Sequence, residues 1–402
     1  KYGLKERAIF QTEVTKVTWL EDKELWNLST NKGDSINAKF VVHSNGPLNR
    51  PKLPAIKGIE KYEGHTFHTS RWDYKYTGGS SKGNLDGLKD KKVAIIGTGA
   101  TAVQCIPHLG ESAKELFVFQ RTPSSIDERN NTDTDENWFK SLETGWHEKR
   151  RENFEGFLTG SFQKEDLVND GWTEIFRTIL GSIRNNAPSK FIFAYWALGS
   201  IFSKDLYQLG PKEYMMKKFI NHVGKENLSN QVEMVDFAKM EKIRERASQI
   251  VQNSDTAESL KPYYRQFCKR PCFHDGYLPT FNRPSVELID TQGKGVDKIT
   301  EKGIVANGKE YELDCLIFAT GFEVGTEYTR RAGYDLIGKG GVTLSEKWQG
   351  GIKTLHGMHS RGFPNVFIIQ NAQSAFTVNF PHAMDEQAKH LSYIVDQCLG
   401  SN

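Results

Sequence analysis

One short stretch constrains the fold more than any other part of the chain: a strand, a glycine turn and a helix in succession. Lys91–Ile96 has two charged residues and then an apolar run, which is typical of a buried parallel strand. Gly97–Ala102 follows as a GxGxxG/A fingerprint directly before a predicted helix. In that context Gly97 makes the tight turn, Gly99 lets the backbone approach a pyrophosphate, and Ala102 packs the helix against the sheet. The stretch therefore predicts a dinucleotide-binding α/β domain.

The next predicted strand indicates which dinucleotide binds. Leu116–Phe119 is followed by Gln120 and Arg121, whereas an NAD enzyme usually has Asp or Glu there to bond the ribose 2′-hydroxyl. A neutral residue followed by arginine suits a 2′-phosphate, so the sequence favours NADP over NAD. The alternative is a structural glycine turn with a solvated surface arginine. The candidate contacts are Gly97, Thr98, Gly99, Ala100, Thr101, Ala102, Gln104 and Arg121.

Charge and composition argue against several other classes of protein. The 402-residue chain has 53 Lys+Arg against 50 Asp+Glu, which gives no electrostatic case for nucleic acid or an anionic membrane as partner. Its longest apolar run, Phe191–Phe202, is too short to span a bilayer. The five cysteines include a lone CxxxC, Cys268 and Cys272, without a second ligand pair. We therefore expect free thiols in the cytoplasm and no metal site.

Composition and periodicity divide the chain into regions. Residues 7–46 have strand patterning, and the Pro-rich stretch 47–54 indicates a surface connector. A Gly-rich stretch suggests a domain boundary near residues 78–88. Residues 130–260 are charged and aromatic with apolar residues at helical spacing, which predicts a helical insertion. Strand patterning returns between residues 286 and 321.

A second motif precedes the Gly-rich stretch. A histidine in such a short aromatic segment is more often structural than catalytic. The spacing nevertheless resembles the F-x-G-x-x-x-H-x-x-x-W-[P/D] fingerprint of Baeyer–Villiger monooxygenases: Tyr62 replaces the usual phenylalanine, and Gly64, His68, Trp72 and Asp73 match. As in that family, the motif lies upstream of the NADP glycine turn. The resemblance implies that His68 and Trp72 lie at the interdomain linker and couple domain motion to the NADP site; simple packing is the alternative.

The resemblance extends along most of the chain and implies further NADP and catalytic residues. Lys269-Arg270-Pro271 is similar to the segment that carries the family's active-site arginine. By that match Arg270 is the catalytic arginine, and Lys269 is a second contact to the 2′-phosphate. Arg121 and Thr122 look like the family's NADP-binding strand end.

The resemblance also implies a flavin site and a fold. Asn45 and Gly46 stand where the family often has the end of an Ala-Thr-Gly segment, and Gln373 and Ser374 resemble the loop beside the isoalloxazine ring. The family fold has two Rossmann-like dinucleotide-binding domains, one for FAD and one for NADPH, with a helical insertion in the latter. The expected order is an FAD-binding part with linker, an NADP-binding part, the insertion, a second NADP-binding part and an FAD-binding return: residues 1–80, 81–129, 130–260, 261–312 and 313–402.

The function that the resemblance implies is an FAD- and NADPH-dependent monooxygenase. It would insert one oxygen atom from O2 next to a ketone carbonyl, through a C4a-peroxyflavin, to give an ester or lactone. Arg270 suits the stabilisation of a negative peroxide because a guanidinium stays charged. Aromatic residues of the insertion hint at a bulky apolar ketone, although aromatics at helical spacing are more often core; they are Trp138, Phe139, Trp146, Trp172 and Trp196.

Two departures leave alternatives open. The family's N-terminal GxGxxG for FAD and its segment with an active-site Asp do not occur in the chain, which begins with Lys1 rather than Met. We therefore expect a chain truncated at both ends. The alternatives are a flavin-dependent N- or S-oxygenase, which shares the architecture, and an inactive NADP-binding chain that cannot hold FAD. A disulfide reductase would need a redox CxxC near the flavin, which the CxxxC does not supply.

Overall fold

The computed structural model describes residues 2–159, 161, 163–186, 225–369, 373 and 379–400. Its strands, labelled β1 to β16 in chain order, are Val14–Leu20, Leu25–Thr30, Ser35–Ala38, Val41–His43, His65–His68, Lys92–Ile96, Glu115–Gln120, Ile126–Asp127, Cys272–Phe273, Val286–Asp290, Lys298–Ile299, Gly303–Ala306, Lys309–Glu312, Cys315–Phe318, Leu336–Ile337 and Val366–Ile368. Its α-helices, labelled α1 to α11 in chain order, are Tyr74–Thr77, Ala100–Ser112, Glu136–Ser141, Trp146–Leu158, Gly171–Asn186, Lys225–Ile250, Ser254–Ser259, Tyr277–Thr280, Tyr328–Ala332, Leu344–Trp348 and Phe380–Gly400.

The larger of two compact units, Leu53–Thr320, is built on a parallel sheet with the strand order β10-β7-β6-β14-β5. Successive residues of β6 face opposite layers. Val93 and Ile95 pack with residues of helix α2, whereas Ala94 and Ile96 pack with the small sheet β11-β12-β13. A parallel sheet covered on both faces explains why β6 is apolar without alternation. The predicted α/β class with a Rossmann-like sheet is confirmed.

The described residues of the smaller unit, Lys1–Lys52 and Gly321–Asn402, form two sheets. Strands β1 to β3 form an antiparallel meander, and β15 pairs with β1 at its edge. Strands β4 and β16 form a parallel pair. Trp26 of β2 is fully buried, and its indole Nε1 donates to the carbonyl of Pro364 at 2.7 Å. The strand patterning of residues 7–46 therefore corresponds to real strands that enclose an aromatic core.

Between β8 and β9 the described chain contains helices α3 to α7 joined by loops, in the region where the sequence predicts a helical insertion. Trp138 packs edge-on against Trp146 at a centroid distance of 5.3 Å, and Trp172 packs against Phe273 at 5.3 Å. Trp196, with the apolar run Phe191–Phe202, lies outside the described residues.

The unit boundaries differ from the predicted domain boundaries. They fall at 52/53 and 320/321, whereas the sequence predicted 80/81 and 312/313. Strand β14 pairs with both β5 and β6, so both β5 and β14 belong to the sheet of the larger unit. The first boundary lies within the predicted Pro-rich connector, and the Gly-rich stretch lies inside the larger unit. Composition located the connectors, but strand pairing decides which of them separates units.

All five cysteines lie among the described residues and are free thiols. Burial raises the pKa of Cys105 to about 11 and is the main reason that the pKa of Cys315 rises to about 12.

Among the helices of the described residues, none combines the length and the apolar character that crossing a bilayer requires.

Candidate functional site

The turn between β6 and α2 has the geometry that the fingerprint predicts. Gly97 has a φ of +108°, a backbone conformation that favours glycine, and its amide donates to the carbonyl of Phe119 at 3.1 Å. A Cβ at Gly97 would lie 2.6 Å from the carbonyl oxygen of Ala319, just beyond strand β14. Glycine is therefore required here both by the backbone conformation and by the close approach of a neighbouring strand end.

The second glycine of the turn faces open space. Gly99 is the N-cap residue of α2 without a side-chain cap, and a Cβ there would have no atom within 4 Å. Ala100 and the exposed Thr101 begin the helix beside it. The first N–H groups of a helix have no intrahelical acceptor and attract negative charge. This end of α2 is therefore open to an anionic group such as a pyrophosphate.

Other residues of the fingerprint have structural contacts. Ala102 is fully buried against the sheet, as predicted. Thr98 is also buried: its Oγ1 donates to the carbonyl of Thr122 at 3.0 Å, and Ser124 donates to its carbonyl at 2.6 Å. The amide of Gln104 donates back to its own helix. Thr98 therefore ties the turn to the segment after β7, and its side chain is not open to a cofactor.

The end of β7 joins a buried residue to an exposed one. Gln120 is fully buried, and its Nε2 donates to the carbonyl of Ser259 at 2.7 Å. Its carbonyl accepts bonds from the amide and hydroxyl of Thr291 at 2.9 and 2.8 Å. Arg121 is exposed and has no ion pair with any described residue. The neutral residue thus stabilises the fold, while the arginine is available to a ligand.

A second cation lies close to Arg121. The ammonium of Lys269 donates to the hydroxyl of Thr122 and to the carbonyl of Pro123, and it lies 4.9 Å from the ring centroid of Tyr264. Burial and the Arg121 guanidinium lower the pKa of Lys269. Neither cation has a carboxylate partner among the described residues. Two like charges in proximity favour the binding of a dianion.

Arg270 belongs to the same local structure. Strands β8 and β9 pair in parallel, and the amide of Cys272 donates to the carbonyl of Ser125 at 3.1 Å. We call the paired segments 121–127 and 269–274 the cationic ribbon. Arg270 is exposed and forms no ion pair within the described part of the chain. The ribbon therefore joins the candidate 2′-phosphate contacts to the candidate catalytic arginine.

The histidine and tryptophan of the second motif belong to the larger unit. His68 is the last residue of edge strand β5, paired in register with Phe318, and it is buried. A Cβ at Gly64 would overlap the hydroxyl of Tyr62, which donates to the carbonyl of Leu313 at 3.1 Å. Phe318 lies two residues before the second unit boundary, at 320/321, and the linker role of His68 and Trp72 stays a prediction.

The rest of this motif also has partners within the protein. The indole Nε1 of Trp72 donates to Thr77 Oγ1 at 3.0 Å. Asp73 caps helix α1 by accepting from the amide of Lys75 at 3.0 Å, and its other oxygen lies 3.2 Å from Nε2 of His65. These contacts account for the fixed residue types by packing and capping.

Two of the candidate flavin contacts in the smaller unit already have partners within the protein. Gly46 has a φ of +66°, and a Cβ there would meet no atom within 4 Å. The side chain of Asn45 hydrogen-bonds Tyr334. Oε1 of Gln373 accepts bonds from the amide and hydroxyl of Thr354, both at 2.9 Å. Ser374 lies outside the described residues.

Comparisons with known proteins relate this geometry to a family. No family model matches the chain. Baeyer-Villiger monooxygenase ATR8 of Stachybotrys chlorohalonatus is 48% identical over 397 residues, which are 99% of this chain and 58% of that protein. The chain is homologous to Baeyer–Villiger monooxygenases. It spans about three-fifths of the length of the curated relatives it matches.

Solved structures of Baeyer–Villiger type agree in fold. The polycyclic ketone monooxygenase of Thermothelomyces thermophila is 35% identical, with a TM-score of 0.78, over 98% of this chain and 61% of that one. A cyclohexanone monooxygenase from Rhodococcus sp. Phi1, solved with NADP+ bound, is 26% identical with a TM-score of 0.71. That similarity covers 98% of this chain and 67% of the Rhodococcus chain.

The sequence did not predict two residues of the candidate NADP site, Tyr264 and Ala319. Tyr264 supports Lys269 with its ring, and its hydroxyl donates to the carbonyl of Pro123 at 3.0 Å. An aromatic residue five positions before a Lys-Arg pair was the available signal. Ala319, which forces glycine at position 97, left no local signal, because the contact depends on strand order.

Proposed function

We propose that the chain serves an FAD- and NADPH-dependent monooxygenase that inserts one oxygen atom from O2 next to a ketone carbonyl, forming an ester or lactone. One observation carries the proposal. On the cationic ribbon, Arg121, Lys269 and Arg270 have no carboxylate partner among the described residues. The homology to Baeyer–Villiger monooxygenases gives this ribbon its expected chemistry.

The residues present fit NADPH. Gly99 leaves room for a pyrophosphate at the start of α2. Arg121 and Lys269 offer two cations to a 2′-phosphate, and Thr122 orients the lysine by accepting its hydrogen bond. The solved relative with NADP+ bound supports the same cofactor.

We assign FAD to the smaller unit. Gly46 gives an open backbone there, whereas Asn45 and Gln373 already have protein partners, so the assignment depends mainly on homology. When bound, FAD reduced by NADPH supplies the activation of O2. The family resemblance assigns to Arg270 the stabilisation of the reacting oxygen atoms, and a guanidinium suits this role because it does not lose its proton near neutral pH.

We propose a bulky apolar ketone as the substrate class. A cavity of about 400 Å³ lies between helices α5 and α6, and its walls include Ile175, Val235 and Phe267. Glu174, Asp236 and Lys239 also line it, so the apolar part of its wall is what suits a bulky ketone. Trp138 and Phe139, which suggested the same class from sequence, are exposed instead. We also place the protein in the cytoplasm, because its five cysteines are free thiols.

The test is an oxygenation assay on the chain with FAD, NADPH and isotopically labelled O2. A panel of cyclic and polycyclic ketones should give esters or lactones that carry one labelled oxygen atom. Arg270→Ala should lower product formation by about 1,000-fold, the size of effect reported for lost electrostatic stabilisation. Its affinity for NADPH should stay close to wild type. Arg265→Ala is the matched control, because Arg265 is an exposed arginine of the preceding loop that is paired with Glu233.

Other outcomes distinguish the alternatives. Oxidation of sulfides or amines without ester formation would favour an N- or S-oxygenase. NADPH binding without FAD binding would leave an NADP-binding chain and overturn the proposed activity.

A further inference from the structure

Helix α6 of the insertion contacts the first segment of the cationic ribbon and the chain just before the second segment. Asp236 accepts a bond from the amide of Gln266 at 3.0 Å, three residues before the ribbon. Lys239 lies 2.5 Å from the carboxylate of Asp127, and Arg246 donates to the carbonyl of Ile126 at 3.4 Å. The spacing of the three α6 residues places them on one face of the helix. The insertion therefore supports the ribbon through specific polar contacts.

The central contact is an ion cluster whose lysine and aspartate are largely buried. Lys239 pairs with Asp127 and also with Glu174 of helix α5, at 2.9 Å. The side chains of Lys239 and Asp127 are only 13% and 14% exposed. Ion pairs removed from water are screened less than surface pairs, and loss of one partner leaves an uncompensated charge. Burial opposes the charge of Lys239, but its bonds to Asp127 and Glu174 raise its pKa overall.

The cluster is linked to the cofactor contacts through the backbone. Asp127 is the last residue of β8, and its carbonyl accepts a bond from the amide of His274 at 2.9 Å. The same pair of segments holds Lys269 on Thr122, a few residues away along each segment. A shift of β8 would therefore move Arg121 and Lys269 relative to each other.

We propose that Lys239 is a positioning residue: through Asp127 it fixes the cationic ribbon so that Arg121 and Lys269 together receive the 2′-phosphate. Lys239 thereby contributes to the preference for NADPH over NADH through the ribbon. This inference rests on the proposed NADPH dependence.

The experiment measures the dissociation constants of NADPH and NADH by titration calorimetry for the 402-residue chain and its variants. Lys239→Met should weaken NADPH binding by about tenfold, within the range of coupling between contacting residues, and leave NADH binding nearly unchanged. Lys239→Arg should restore most of the preference. The matched control is Lys140→Met, which removes an exposed ion pair with Glu136 from the same insertion and should change neither constant.

A second variant separates positioning from folding. Lys239→Met alone leaves a buried carboxylate unpaired, which destabilises a fold. Asp127→Asn combined with Lys239→Met removes both charges, so it should remain folded, as checked by its melting temperature, and still lose the NADPH preference. A folded double variant with the wild-type preference would overturn this inference alone. A wild-type chain without any preference for NADPH would overturn the proposed cofactor as well.

Discussion

Two motifs lie at strand ends of the same parallel sheet, and the protein uses them differently. At the end of β6, Gly99 faces open space, and Arg121 at the neighbouring strand end has no ion pair within the described residues. At the end of β5, His68 is bonded to Ser70, and in the segment that follows Trp72 is bonded to Thr77. Ligands of open α/β sheets bind beyond the carboxyl ends of strands, and the first motif leaves space there at Gly99, whereas His68 and Trp72 have partners within the protein.

The two strand ends show that a match to a motif does not by itself identify a ligand site. Both patterns are specific in sequence, and both resemble the same family. In the glycine turn, Gly99 leaves open space, and Arg121 at the neighbouring strand end has no ion pair with a described residue. In the second, Asp73 caps a helix and Gly64 makes room for Tyr62, so folding alone explains the residue types. The coupling role of His68 and Trp72 stays a prediction.

The largest expected effect separates the two glycines of the turn. Gly97→Val should cost about 3 kcal/mol or more and abolish NADPH binding, because it combines backbone strain with a clash against the carbonyl of Ala319. Gly99→Ala should change stability by less than about 1 kcal/mol, yet weaken NADPH binding, because its methyl group would enter the cofactor space. Urea unfolding and calorimetry check both variants. Equal stability of the two would contradict the role of Ala319.

The next effect concerns the charges. Arg121→Ala combined with Lys269→Met should weaken NADPH binding by at least about 100-fold, because two charge-assisted bonds of about 1.5–3 kcal/mol each contribute about 3–6 kcal/mol together. NADH binding should change little, since NADH lacks the 2′-phosphate. Calorimetric titration with both cofactors provides the measurement. An equal loss for both would show that the cations bind another part of the molecule.

The pH dependence of cofactor affinity tests the role of the Lys269 charge. Burial and Arg121 lower the pKa of Lys269, so its charge is lost at a lower pH than that of an ordinary lysine, about 10.4. The ratio of NADPH to NADH affinity should therefore fall by about tenfold as the pH rises through this lowered pKa. Lys269→Arg should keep the ratio nearly constant over that range, because arginine stays protonated. A wild-type ratio independent of pH would contradict a role for Lys269.

The smallest effect tests the second motif. Asp73→Ala should cost about 1 kcal/mol of stability, because it removes the cap of α1 and the pair with His65. NADPH affinity should stay at the wild-type value. Trp72→Phe, which removes the bond to Thr77, should behave in the same way. A change in cofactor affinity or oxidation rate without loss of stability would instead support the coupling role.

Much of the fold could be predicted because its signals are local. The apolar run of β6, the glycine turn and helix α2 follow from neighbouring residues, as does the helical character of the insertion. The unit boundaries could not be predicted in this way. They depend on the pairing of β14 with β5 and β6, which joins residues hundreds of positions apart.

The sequence by itself determined the fingerprint, the arginine that predicts a 2′-phosphate contact and the family resemblance, because each depends on residue type at fixed spacing. Tertiary structure decided which of the matched residues remain open to a ligand. The side chain of Thr98 is not available to a ligand, because it is hydrogen-bonded to the segment after β7. Arg121 and Lys269, in contrast, are brought together from positions far apart in the chain. Burial and partnership depend on long-range packing, and no local pattern encodes them.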